Sequence, residues 1–177
     1  MWKTDFPYER KVVGYIKGYM RRFWQASEDH RGIPGVPGRV VTIVPSSNLE
    51  DQVYGVAYKI AENDIPNVVE YLDHREKQGY QQNTVTFHPT SDDLKPFQLV
   101  IYIAETENSY YLGPAPLETI ARQISKAIGP SGRNDDYLFQ LANAMRKLAP
   151  QVNDCHLYEL EELVKEMQGS RNEESGL

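Results

Sequence analysis

A carboxylate on the apolar side of a helix, close to the helix's C-terminal end, is the feature of this chain best suited to chemistry. It is Glu76, in the stretch YLDHREKQGY (Tyr71–Tyr80). Asn63-Asp64-Ile65-Pro66 reads as a helix start, a polar cap followed by proline in the first turn. Val68, Val69 and Leu72 mark the inward face, and Glu76 follows Leu72 by four and Val69 by seven, so it shares that face. Gly79 is the expected stop. Burial raises a carboxylate's pKa, and the negative end of a helix dipole raises it further. A carboxylate tuned in this way serves as a general base or acid near neutral pH. The alternative reading of the same spacing is an ion pair of Glu76 with Arg75, Lys77 or a core arginine, and both readings stand at this point.

The elements that must position this residue follow from periodicity. Val12–Tyr19, Arg39–Val44 and Gln52–Ile60 are rich in β-branched and aromatic residues and are bounded by Gly, Pro and Asn clusters, so they read as strands. Thr84–Phe87 and Phe97–Ala104 add two more after the Glu76 helix. The second half turns helical over Pro116–Ile128, Arg133–Leu148 and about Asn153–Met167, each with apolar residues at helical spacing. The expected fold class is α+β, with a strand set able to close into a small mixed β-barrel carrying flanking and C-terminal helices. One domain spans 1–167, and the polar stretch 168–177 (QGSRNEESGL) reads as a disordered tail.

Composition narrows the function classes. A net charge of −6 without a basic block argues against a nucleic-acid partner. No run of about 18 apolar residues and no charged-then-apolar leader is present, so neither a membrane span nor a signal peptide is expected. Cys155 is the only cysteine, and His30, His74, His88 and His156 are scattered without a zinc spacing. No metal site is expected, and a reducing cytosolic setting fits the single thiol.

Loops and aromatics offer further candidates. Asp29–Arg39 (DHRGIPGVPGR) reads either as a rigid rim with Arg31 or Arg39 clamping a carboxylate, or as a surface turn whose Gly and Pro residues meet backbone demands; the second reading is favoured. Asp29 beside His30 lacks a nucleophile placed with it in sequence, and Gly129–Arg133 (GPSGR) reads as a turn between helices rather than a phosphate loop. Tyr111, in YYLGPAP, reads as a substrate hydrogen-bond donor or as a rim aromatic. Tyr80, Phe23, Trp24 and Trp2 read as packing residues.

Five stretches carry a resemblance: RRFWQASEDHRGIPGVPGRVVTI (Arg21–Ile43), YGVAYKI (Tyr54–Ile60), YLDHREKQGY (Tyr71–Tyr80), YLGPAP (Tyr111–Pro116) and GPSGRNDDYLFQLA (Gly129–Ala142). In this order, and over about Trp2 to Met167, the chain resembles the ChaC family of glutathione-specific γ-glutamylcyclotransferases, its smaller ChaC2-like branch above all. The resemblance implies a small mixed barrel with helices outside it. It also implies a carbon–nitrogen lyase reaction that releases 5-oxoproline and Cys-Gly from glutathione, with no cofactor and no metal. It assigns the catalytic glutamate to the one in HREK, Glu76. Members of the family carry a strand running into a YGSL loop ahead of the Trp-Lys that Trp2-Lys3 matches, and no YGSL stretch occurs in these 177 residues. The loop holds the γ-glutamyl group in the family, so a shortened, non-catalytic relative is the alternative expectation. Oligomeric state is not legible from these residues.

Overall fold

The computed structural model describes residues 4–76, 79–104 and 106–174, with side chains described to 170. In chain order the elements are β1 (Arg10–Lys17), β2 (Tyr19–Ser27), β3 (Gly38–Pro45), β4 (Gln52–Lys59), α1 (Ile65–Arg75), β5 (Tyr80–Pro89), β6 (Phe97–Ala104), α2 (Leu117–Lys126), β7 (Ile128–Gly129), β8 (Gly132–Arg133), α3 (Asn134–Leu148) and α4 (Cys155–Glu174). The chain divides into two compact units, residues 1–20 with 43–108, and residues 21–42 with 109–177. The fold class is α+β, with the expected barrel realised as a curled antiparallel half-barrel sheet accompanied by four helices.

The first unit is built on the sheet β4-β1-β5-β6. β1 pairs with β4 along its whole length, from Arg10↔Lys59 to Lys17↔Gln52. On its other side β1 meets β5 over only three pairs, Gly14↔Pro89, Tyr15↔His88 and Ile16↔Phe87. β5 and β6 then pair from Tyr80↔Ala104 to Phe87↔Phe97. Alternation puts Ile16, Val53, Ala57, Val85 and Phe87 on the buried face, where they form one apolar cluster. Gly14 is required by that cluster. A Cβ there would lie 2.3 Å from the His88 carbonyl oxygen and 2.6 Å from the Phe87 ring. The aromatic ring occupies the space a side chain would need.

The second unit holds most of β2 and β3 together with α2, α3 and α4. Ile120 and Ile124 of α2, Leu138 of α3, and Leu157, Leu160 and Val164 of α4 are fully buried with Phe23 of β2. The apolar spacing read from the sequence is the spacing that packs. α4 begins at Cys155, with Asp154 Oδ1 accepting from Leu157 N–H at 3.2 Å. It continues to Glu174, so the stretch from Gln168, read above as tail, is helical in backbone to that residue. Gln168 Nε2 donates to the buried Asp135 at 2.6 Å, an anchor that sequence composition does not reveal.

Two sequence readings change here. β2 was absent from the expected strands, and β1 ends at Lys17, with Gly18 in the turn at φ +77°. The inward positions of β2 are Arg21, Phe23 and Gln25, so polar residues interrupt the apolar alternation that marks a strand. Arg39 is not a carboxylate clamp. It is buried, its Nε donates to Gln123 Oε1 at 2.7 Å and its Nη1 to the Phe23 carbonyl at 3.1 Å, and burial lowers its pKa. Asn134 completes the arrangement by exchanging two hydrogen bonds with the Arg39 backbone. Arg31 donates to the Arg133 carbonyl at 3.1 Å and lies over the Tyr137 ring. The loop is a structural turn, the favoured of the two readings.

His156 joins this polar interior. Its Nε2 accepts the Phe23 backbone N–H at 3.1 Å, which puts the ring proton on Nδ1. Burial, then the charges of Arg22 and Arg39, push its pKa down to about 4 against the opposing pull of Asp154. The folded value lies below the unfolded one, so the unfolded chain binds more protons between about pH 4 and 6.5.

Two outcomes follow from this architecture. Gly14→Ala is expected to lower unfolding free energy by about 1–3 kcal/mol, through overpacking against Phe87 and the His88 backbone; urea denaturation measures it, and an unchanged midpoint refutes the packing account. Stability is expected to be full above pH 6.5 and to decline as pH falls towards 4, with His156→Gln flattening that part of the curve. Urea midpoints taken at half-unit pH steps test the sign.

Candidate active site

α1 starts where the sequence indicates, with Asp64 at its N-cap and Pro66 in its first turn. Its inward face is narrower than expected. Val68 is buried and Leu72 partly so, whereas Val69 is 39% exposed. The helix ends at Arg75 rather than at Gly79, and Glu76 is its C-cap, its N–H donating to the Leu72 carbonyl at 2.8 Å. Lys77 lies outside the described residues. Gly79 has φ +78° and leads into β5, a backbone conformation that glycine adopts without strain.

Glu76 is therefore a residue of the short link between α1 and β5. Its side chain keeps 19% of its exposure, so the desolvation expected from the helix face is incomplete. Oε1 accepts a hydrogen bond from Arg75 Nε at 3.0 Å, the ion pair that the alternative reading named. Arg75 in turn reaches Asp5 Oδ1 at 3.4 Å and lies 5.9 Å over the Tyr71 ring. Tyr71 donates to Asp5 Oδ2 at 2.5 Å.

A second polar group holds the same end of the helix to the sheet. Tyr102 O–H donates to Asp73 Oδ1 at 2.6 Å, and Gln82 Nε2 donates to both of them at 2.9 Å. Gln82 and Tyr102 are directly opposite in the β5–β6 register, so one carboxylate of α1 meets both. Burial, then the bond to Asp73 and the negative charges of Asp73 and Glu76, push the Tyr102 phenol up to about 12. Tyr102 thus stays protonated across the physiological range. A partly shielded carboxylate beside a fixed cation and a protonated phenol is equipped to accept and return a proton. Asp5, Asp73 and Tyr102 escaped the sequence reading because strand register and helix placement, not local spacing, bring them together.

Two clefts of about 280 and 360 Å³ open in the first unit, and Glu76 is in the lining of neither. The chemistry of the carboxylate, not cleft volume, marks the site. Among the described residues no group of three or more His, Cys, Asp or Glu side chains is arranged to hold a metal ion, and no helix is long and apolar enough to cross a membrane.

Tyr111 belongs to the second unit, whereas Glu76 belongs to the first. Tyr111 forms an isolated antiparallel bridge with Gln25, flanked by Leu112 N–H to the Trp24 carbonyl and Ala26 N–H to the Tyr110 carbonyl, both 2.7 Å. Its ring meets Trp24 edge-on at 6.4 Å, and burial raises its pKa. Phe23 is fully buried as expected, Trp24 and Tyr80 are half-buried, and Trp2 lies outside the described residues. The structure does bring a serine to His30: Ser131 Oγ is 3.2 Å from Nδ1. Asp29 is 3.8 Å from Nε2, beyond hydrogen-bond distance, and the imidazole is 53% exposed, so Asp29 does not orient the ring as the third member of a triad. GPSGR forms the β7–β8 turn between α2 and α3, in keeping with the helix-to-helix reading.

Residues 1–167 match the family described as ChaC-like protein. Glutathione-specific γ-glutamylcyclotransferase 1 of Danio rerio is 44% identical over 91% of this chain and 82% of its own length. The Homo sapiens protein of the same name is 42% identical over 89% of this chain and 71% of its own length. A crystal structure of a yeast γ-glutamyl cyclotransferase specific to glutathione superposes with a TM-score of 0.85 at 27% identity, covering 90% of this chain and 89% of that one.

The link after Glu76 depends on Gly79, where a Cβ would lie 2.4 Å from Asn108 Cβ and Cγ. Gly79→Ala is expected to destabilise the protein by about 1–3 kcal/mol, combining the positive-φ strain with the clash. Adding Asn108→Gly, which removes both the Cβ and the Cγ, should relieve the clash and leave the strain. Thermal denaturation of wild type and the two variants separates the two contributions, and equal midpoints for wild type and Gly79→Ala would discard both.

Proposed function

Because the chain belongs to the ChaC-like family, we propose that it is a glutathione-specific γ-glutamylcyclotransferase, with residues 1–167 acting as one functional domain in the cytosol. The reaction is intramolecular. The α-amine of the γ-glutamyl group loses a proton and attacks the γ-carbonyl carbon, forming a C–N bond and closing a five-membered ring. The bond from that carbon to the cysteine nitrogen breaks, and the nitrogen leaves with a proton. The products are 5-oxoproline and Cys-Gly, and no water is consumed.

The observation that carries this reading is Glu76 itself: a partly shielded carboxylate on the rigid end of a helix, with one oxygen engaged by Arg75. Glu76 accepts the amine proton and returns it to the departing nitrogen, so one group acts as base and then as acid. Nucleophile and electrophile are tethered in the substrate, so the protein's main task is to hold the γ-glutamyl chain in an attacking conformation. Tyr102, kept neutral by burial and by its bond to Asp73, ties the end of the helix that carries Glu76 to the sheet.

Incubation with glutathione and quantification of 5-oxoproline by mass spectrometry tests the proposal. Glu76→Gln is expected to lower turnover by about 10² to 10⁴. Equal product from wild type and variant would remove Glu76 from the mechanism. The alternative, a non-catalytic relative, is recognised by no product at any glutathione concentration.

A further inference from the structure

We propose that Arg75 is a positioning residue for Glu76, holding Oε1 so that Oε2 is the oxygen presented to the substrate amine. The inference rests on the reading of Glu76 as the proton carrier and adds a residue that acts through it.

Glu76 caps the helix, so it lacks a following turn to pack against, and a glutamate in that position retains most of its rotamer freedom. Arg75 removes that freedom. Nε donates to Oε1 at 3.0 Å, and among the described residues Oε2 has no hydrogen-bond partner. Arg75 is itself braced, with Asp5 Oδ1 at 3.4 Å from Nη1 and the Tyr71 ring beneath the guanidinium. Tyr71 precedes Arg75 by one helical turn and donates to the other oxygen of Asp5. Tyr71, Asp5, Arg75 and Glu76 therefore form one run of contacts whose free end is a carboxylate oxygen.

Residue type matters here. The planar guanidinium offers Nε to one carboxylate and Nη1 to another at the same time, whereas an ammonium is a single point donor. With side chains only 26% and 19% exposed, the pair is partly shielded from competing water. A proton carrier gains from this arrangement because transfer requires the acceptor oxygen within hydrogen-bond reach, and a misplacement of about 1 Å costs about 10²-fold in rate.

Steady-state kinetics with glutathione test the proposal, beside melting temperatures for every variant. Arg75→Met is expected to lower kcat by about 10- to 100-fold with KM changed less than about two-fold, since the ground-state contacts of the substrate are untouched. Arg75→Lys should recover part of the loss, because it returns the charge without the second donor. Asp5→Asn, which leaves Arg75 in place and loosens its brace, should lower kcat by a few-fold and decides the matter if Arg75→Met does not fold. On a Glu76→Gln background, Arg75→Met should add no further loss. Folded Arg75 and Asp5 variants with wild-type kcat, or an effect confined to KM, would overturn the proposal while leaving the base assignment intact. A further loss on the Glu76→Gln background would overturn it too, by showing an action independent of Glu76. Full activity of Glu76→Gln alone, or no product from wild type, would instead sink the functional reading and this proposal with it.

Discussion

Phe87 packs against bare backbone at Gly14, and the position of the proposed catalytic carboxylate descends from that contact. β5 is joined to β1 through three residue pairs, and the ring of Phe87 fills the volume that any side chain at position 14 would claim. This contact sets the register in which β5 lies on β1. β5 then carries β6 along its length, with Gln82 and Tyr102 directly opposite one another. Those two side chains hold Asp73 of the last turn of α1, so the end of the helix is tied to the sheet. Glu76 is three residues further on, at the cap. A small void in one strand is thus transmitted, through register, to the orientation of a carboxylate in a different element.

The second unit solves a different problem, that of a core with polar groups in it. Arg21, Gln25, Arg39, Asn134 and Asp135 are buried beside Phe23 and the helix leucines. For Arg21, Arg39, Asn134 and Asp135 burial is tolerable because named partners take up their hydrogen-bonding capacity: Arg21 meets Asp154 at 2.5 Å, Arg39 meets Gln123 and a carbonyl, Asn134 meets the Arg39 backbone, and Asp135 meets Arg133 and Gln168. His156 stays neutral because burial disfavours its charged form and the charges of Arg22 and Arg39 disfavour a further positive one. Such a core is specific rather than adaptable, since removing one member leaves another desolvated and unpaired.

For the proposed reaction, the demand on the protein is modest in chemistry and strict in geometry. The substrate brings its own nucleophile, so neither a covalent intermediate nor an activated water is needed. What the fold supplies is a proton acceptor with limited freedom. Placing it at a helix end, beside a cation braced by a second carboxylate, limits its motion without enclosing it. The incomplete burial of Glu76 suits a group that must meet substrate and release product.

Periodicity in the sequence located the second unit's three helices, because Ile120, Leu138, Leu157 and their neighbours recur at the spacing that one face of a helix requires, although α4 runs past the expected end at Met167 to Glu174. It also located α1 and singled out Glu76 near its end, with Arg75 as a possible partner. β2 was hidden because Arg21 and Gln25 face inward, and no local pattern announces that a buried arginine will find an aspartate far along the chain. Likewise the reading that made Val69 inward and Gly79 the helix stop failed, since a chain that must turn into β5 gives up its last helical turn early. Local spacing decides which residues share a face of one element. Which oxygen of Glu76 is held, and by what, was decided only when the β5–β6 register and the α1 packing brought Asp5, Asp73 and Tyr102 to the same end of one helix, because those contacts join residues whose separation in sequence carries no periodic signal.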